Sequence, residues 1–145
     1  MRTRLYLFLF NTMLLAGQGF AQFSNSNPID SLKVIPKIIK LNDNVERTII
    51  DYSNSEDIGI NQVIAPKHWT ENIVRLQFEI RGIVLEGKLG LEYQNGTFYY
   101  SKDEGFMVPK NTKVRIFNAG DSTLHLIEVL RPGYKPEFTE VFSEF

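Results

Sequence analysis

The sequence predicts a single all-β domain, a sandwich or barrel, on three observations. Short apolar runs recur at intervals of roughly 8 to 12 residues, with Gly, Pro and Asn at the joints. Val74, Leu76, Phe78 and Ile80 alternate with Arg75, Gln77, Glu79 and Arg81. That is the period of a strand with one apolar and one polar face. The chain shows neither a long helical pattern nor an internal repeat.

Composition limits the function classes. The 145 residues suit one domain, and 43% apolar content with 12% aromatics can fill one core. The net charge of -1 comes with no basic run, which argues against nucleic-acid binding. The absence of cysteine excludes disulfides, thiolate metal sites and a thiol nucleophile.

Residues 1–21 read as a cleavable signal peptide. Arg2 and Arg4 precede the mostly apolar run Leu5 to Leu15, and Gly19 and Ala21 are the small residues a signal peptidase requires. The run is shorter than the ~20 residues of a membrane span. Cleavage before Gln22 takes the net charge from -1 to -3 and leaves no stable membrane anchor. A periplasmic or secreted location follows as the expectation, and Cys-free export suits a bacterial periplasm.

The remaining elements follow in order. Residues 22–30 are polar and form a flexible leader. Leu32 to Ile35 and Lys37 to Leu41 are short β-branched runs divided by Pro36. Asn42-Asp43-Asn44 is a turn, Val45 to Tyr52 alternates weakly, and Ser53 to Gly59 is a polar loop. Gln62 to Ala65 is a short strand ended by Pro66. Gly82 marks a bulge or bend in the main strand. Ile83-Val84-Leu85 reads as a strand covered on both sides.

After the Glu86-Gly87 turn, Lys88 to Tyr93 alternates again, and Asn95-Gly96 signals a hairpin rather than a glycosylation site. Strands are expected at Phe98 to Tyr100, Phe106 to Val108, Val114 to Phe117 and Leu124 to Leu130. Arg131-Pro132-Gly133 ends the last of them. The barrel domain thus spans residues 31–135. In residues 136–145, Phe138, Val141, Phe142 and Phe145 recur at helical spacing, which predicts a short C-terminal helix or a packed arm.

Pro109-Lys110-Asn111-Thr112-Lys113-Val114-Arg115-Ile116-Phe117-Asn118 has the spacing of the second cupin motif, Pro-x-Gly-x-x-His-x-x-x-Asn. Pro109 and Asn118 match. Asn111 stands for the glycine and tolerates the same left-handed backbone. Val114 stands for the histidine. Upstream, Ile83 to Leu89 resembles the strand-turn-strand that closes the first motif. The resemblance covers about residues 60 to 132 and implies a cupin-like jelly-roll β-barrel that tends to form homodimers.

Cupins often hold a metal through two histidines and a glutamate in the first motif and a histidine in the second. Counted from Gly87, the glutamate position falls on Ile80. The histidine positions fall on Ile73 and Arg75, or on Val74 and Leu76. Glu79 is one residue off, on the other face of a regular strand. With Val114, every ligand position is degenerate, so neither metal nor another cofactor is expected.

The remaining chemistry is sparse. His68 and His125 are the only histidines. His125 with Glu128, Tyr93 or Tyr99 is one acid-base candidate. Trp69, Tyr93, Tyr99, Phe117 and His125 are candidates for lining a ligand site in the barrel. Glu79 with Arg75 and Arg81 reads as charge pairing on a solvated face. The expectation is a metal-free, non-catalytic domain that binds a small molecule or serves as an accessory protein. A metal-independent isomerase, epimerase or lyase acting on a sugar-like substrate stands as one alternative. A dimeric structural or interaction module stands as another.

Overall fold

A computed structural model describes residues 33–41 and 45–145. The expected signal peptide (1–21) and leader (22–30), residues 31 and 32, and the expected turn at 42–44 lie outside the described residues.

Among the described residues eleven strands make two antiparallel sheets. The first contains β1 (Lys37–Leu41), β2 (Arg47–Asn54), β3 (Gly59–Ala65), β5 (Glu79–Glu86), β8 (Gly105–Val108) and β10 (Leu124–Arg131). Its order is β1-β2-β3-β10-β5-β8. The second contains β4 (Ile73–Leu76), β6 (Lys88–Tyr93), β7 (Gly96–Ser101), β9 (Lys113–Asn118) and β11 (Thr139–Phe142), in the order β11-β4-β9-β6-β7. The expected jelly roll therefore stands as two sheets, and no ladder joins them among the described residues.

Period-two alternation places one face of β3, β4, β5, β6, β8, β9 and β10 in a shared core. Val63, Val84, Leu126 and Leu130 from the first sheet pack with Val74, Leu89, Leu91 and Val114 from the second. Each such side chain contributes roughly 1.5–3 kcal/mol by leaving water.

The two motif turns behave as their residues require. Asn111 has φ of 60°, so asparagine does take the left-handed conformation of the glycine it replaces. Gly87 has φ of 81°, and a Cβ there would lie 2.5 Å from the Thr123 carbonyl oxygen. Asn118 is buried and its amide donates to the carbonyls of Ala65, Pro66 and Ser122 at 3.2, 3.0 and 2.8 Å. Its Oδ1 accepts from the Gly120 N–H at 2.9 Å. One side chain thus ties the end of β3 to the β9–β10 turn.

Several local expectations are corrected. Residues 33–36 form no strand. The alternating run 74–80 is two strands, broken at Gln77 and Phe78, because β4 and β5 belong to different sheets. Ile83 is 51% exposed, so β5 is covered on one face only. β3 begins at Gly59 rather than Gln62, because ladders with β2 and β10 extend it.

The C-terminal segment is a packed arm, yet its helical spacing yields only a 3-10 turn, Pro136–Phe138, followed by β11. The open edge of β4 supplies the reason. Residues 139–142 pair with 76–73, and Glu140 meets Arg75 at 2.5 Å. Ladder hydrogen bonds outweigh a helix too short to nucleate.

Candidate functional site

A cavity of about 670 Å³ lies between the sheets. On the six-stranded sheet its floor is organised in cross-strand rows. The register Lys37↔Asp51↔Asn61↔Glu128↔Gly82↔Phe106 crosses all six strands. Residues in register on one face are side-chain neighbours. One neighbouring row is Ile39, Ile49, Val63, Leu126 and Val84, wholly aliphatic. The row on the other side contains Leu130, Ile80 and Val108. A polar stripe therefore runs between two apolar ones.

The middle of the stripe is held by hydrogen bonding and by close packing. Asn61 Nδ2 donates to Glu128 Oε1 at 3.3 Å. Gly82 follows Glu128 in the row, and a Cβ there would lie 2.4 Å from the Phe106 ring. Glycine lets that ring cover the sheet beside Glu128 and exclude water. Burial pushes the Glu128 carboxyl up to about 7, against the opposing pull of Asn61 and Arg47.

The other wall carries Trp69. Its backbone N–H donates to the Pro66 carbonyl at 3.2 Å, and its backbone carbonyl accepts from the Asn118 backbone N–H at 2.9 Å. His68, just before it, adopts φ of 69° to make this turn. Trp69 is buried, and the Arg47 guanidinium lies 5.3 Å from its ring centroid. Arg47 also pairs with Glu71 at 2.5 Å. Such a stack and ion pair fix the ring in place.

Among the described residues three buried side-chain atoms have no hydrogen-bond partner: Asp51 Oδ1, Trp69 Nε1 and Thr139 Oγ1. All three residues line this cavity.

Of the five candidate lining residues, Trp69 alone is part of this wall. Tyr93 is half-buried against the core and meets Phe98 edge-on, and burial raises its phenol pKa. Tyr99 is exposed and meets the Phe117 ring at 6.5 Å. Phe117 covers Gly90, whose added Cβ would lie 2.3 Å from that ring. His125 meets Gln62 at 3.1 Å. It stands at odd spacing from Leu126, Glu128 and Leu130, so it occupies the opposite face of β10 from Glu128. The acid-base pair His125–Glu128 is therefore not brought together. Glu79 pairs with Arg81 at 2.6 Å, while Arg75 turns to Glu140.

Asp51, Asn61, Arg47 and Glu71 had escaped the sequence reading. The available signal was parity: once Ile49 faces inward, Arg47 and Asp51 must as well.

The positions that the motifs assign to metal ligands do not fit a metal. Ile80 and Val114 are buried aliphatics, as are Ile73, Val74 and Leu76. None offers a donor atom. Among the described residues no group of three His, Cys, Asp or Glu converges for a metal.

This two-sheet fold with an inter-sheet cavity is that of cupins, the double-stranded β-helix. The cupin domain of Schizosaccharomyces pombe Cnp3 is similar at a TM-score of 0.54 and 20% identity, covering 59% of this chain and 64% of that one. The capsular polysaccharide assembling protein CapF of Staphylococcus aureus gives 0.60 and 17%, over 77% and 33%. An RmlC-like cupin of Methanocaldococcus jannaschii gives 0.57 and 19%, over 70% and 94%. The chain spans less than two thirds of the first two structures. No protein-family model and no curated protein matches it.

Proposed function

We propose that this chain is an exported, metal-free cupin-fold protein that binds a small organic molecule between its sheets, without catalysing a reaction on it. The observation that carries this reading is the 670 Å³ cavity between the sheets, whose largely apolar lining includes the polar row Asp51, Asn61 and Glu128. Its size is that of ordinary small-molecule sites. Native mass spectrometry of protein purified from its source tests the reading. A stoichiometric organic adduct that is lost on denaturation supports it. An empty protein that no small-molecule library stabilises against heat overturns it. The mass of the exported form tests the signal peptide, with Gln22 as the expected first residue.

One observation favours a second reading, a metal-independent isomerase or lyase. Glu128 carries a carboxyl that titrates near neutrality in the same cavity as Asp51. Such a group suits proton transfer. Conversion, rather than retention, of the co-purified molecule would select it.

Homodimerisation is part of the proposal as well. Ile38, Ile60, Ile83 and Met107 are exposed on the first sheet. Light scattering at micromolar concentration distinguishes a dimer from a monomer.

A further inference from the structure

Among the described residues β1 and β8 end the first sheet, and β7 and β11 end the second. A free edge invites another strand, and proteins ordinarily guard it with charge, shortness or a bulge. β1 carries Lys37 and Lys40, β8 has only four residues, and β11 has four with Glu140 among them. β7 has none of these guards. It runs six residues, Gly96-Thr97-Phe98-Tyr99-Tyr100-Ser101, without charge or proline, and its ladder with β6 has no register shift. Phe98 and Tyr99 are 52% and 55% exposed, one on each face of the strand.

The hairpin fixes which backbone groups face the open side. Tyr93 pairs with Gly96 across a two-residue turn. Such a closing pair exchanges both hydrogen bonds, and bonded pairs then alternate along the ladder. Phe98 and Tyr100 therefore bond to β6, while Thr97, Tyr99 and Ser101 aim their N–H and C=O groups away from it. The contacts of Ser101 agree. Its N–H donates to Glu104 Oε2, and its carbonyl accepts from the Glu104 N–H at 3.0 Å. Glu104 thus closes that end of the edge. Thr97 and Tyr99 leave two donors and two acceptors on the open side.

That set is self-complementary. With a two-fold axis at Phe98, the β7 strands of two copies run antiparallel, and Thr97 of each stands opposite Tyr99 of the other. These pairs satisfy all the open groups. Phe98 faces its own counterpart at the non-hydrogen-bonded site between them. The exposed rings meet there, beside Tyr93, which already packs edge-on against Phe98 at 5.9 Å. The same axis sets the charged end Lys102-Asp103-Glu104 of one copy against the neutral turn Gln94-Asn95 of the other, so like charges do not oppose.

We propose that β7 is an interface between two copies of this chain, which join their five-stranded sheets edge to edge into one continuous sheet. This surface is distinct from the exposed isoleucines of the first sheet, so the inference goes beyond the dimer reading above.

The chain has no cysteine, so one introduced thiol reports on this contact alone. Non-hydrogen-bonded antiparallel pairs hold their Cα atoms about 4.5 Å apart, inside the range of roughly 4.4–6.8 Å that a disulfide spans. The test oxidises exported Phe98→Cys and Thr97→Cys proteins in air, read on non-reducing gels, and compares sedimentation of the wild type and Tyr99→Pro. Phe98→Cys should form a covalent dimer at least roughly tenfold faster than Thr97→Cys, whose thiols the register holds apart. Tyr99→Pro should halve the assembled mass in a folded protein, because the lost N–H bonds nothing in β6. Equal cross-linking of the two thiols overturns the register and with it the interface. An assembled mass that a folded Tyr99→Pro leaves unchanged overturns β7 and leaves the first-sheet dimer standing. A monomeric wild type overturns a second copy as the occupant of this edge. If the proline variant fails to fold, the cross-linking comparison decides alone.

Discussion

Asn61 on β3 stands in register with Glu128 on β10 and donates to its Oε1 at 3.3 Å, a side-chain hydrogen bond on the cavity floor between residues 67 apart in sequence. A neutral amide is a weak partner for a carboxylate, and burial decides the outcome by raising the carboxyl from 4.5 to about 7. The folded state therefore holds this proton more tightly than the unfolded chain does.

The consequence for stability has a definite sign. The contribution is complete below pH 4.5 and is lost as pH rises through 7. Since Glu128 keeps some accessible surface toward the cavity, the loss should be about 1–3 kcal/mol. The denaturant midpoint should fall between pH 5 and pH 8 for the wild type and remain level for Glu128→Gln. Parallel pH profiles for the two proteins would refute the burial account.

Asn118→Ala should be among the most damaging single changes. It strands three carbonyls and one N–H that the side chain now satisfies. The expected cost is about 2–4 kcal/mol in urea unfolding. Trp69 fluorescence should shift to the red in the same variant, because loss of the side-chain bonds loosens the backbone at residue 118, whose N–H holds the Trp69 carbonyl.

Two glycine substitutions should separate cleanly. Gly87→Ala faces a positive φ and the Thr123 carbonyl at 2.5 Å, and should cost at least ~2 kcal/mol. Gly105→Ala meets only the Gly82 carbonyl oxygen at 3.6 Å, and should cost under about 1 kcal/mol. Thermal melts of the two variants suffice. Equal melting temperatures would mean that the tight turn relaxes.

Removal of residues 139–145 should open the cavity. It deletes Thr139 and Val141 from the lining and uncovers the edge of β4. Size-exclusion chromatography should then show aggregation, and any ligand response of Trp69 should vanish. Glu140→Ala should be mild by comparison, about 0.2–1 kcal/mol, since its pair with Arg75 is solvated.

Chelation should leave the protein unchanged. Elemental analysis of the protein from its native source should find no stoichiometric transition metal, and EDTA should not move the melting temperature. A bound metal would redirect attention to His68, His125 and nearby carboxylates.

Much of the architecture was legible because its signals are local. Period-two alternation and turn chemistry act over two to six residues. They mark β6 to β10 closely, and the Asn111 and Asn118 spacing carries the cupin resemblance. The C-terminal strand was not legible, since the partner that makes it a strand, β4, lies over sixty residues away. The site was less legible still. Trp69 could be singled out as a lone aromatic on a turn, but aromatic character alone also pointed to Tyr99, which the second sheet leaves exposed.

The sequence by itself determined that this chain makes short strands, where most of them turn, and that no histidine or carboxylate occupies the positions where the motif resemblance puts metal ligands. Only the tertiary structure decided that Asp51, Asn61 and Glu128 form one row. Strand order and register set that row, through ladders between segments far apart in the chain. A one-residue slip in either ladder would turn the same side chains to the opposite face.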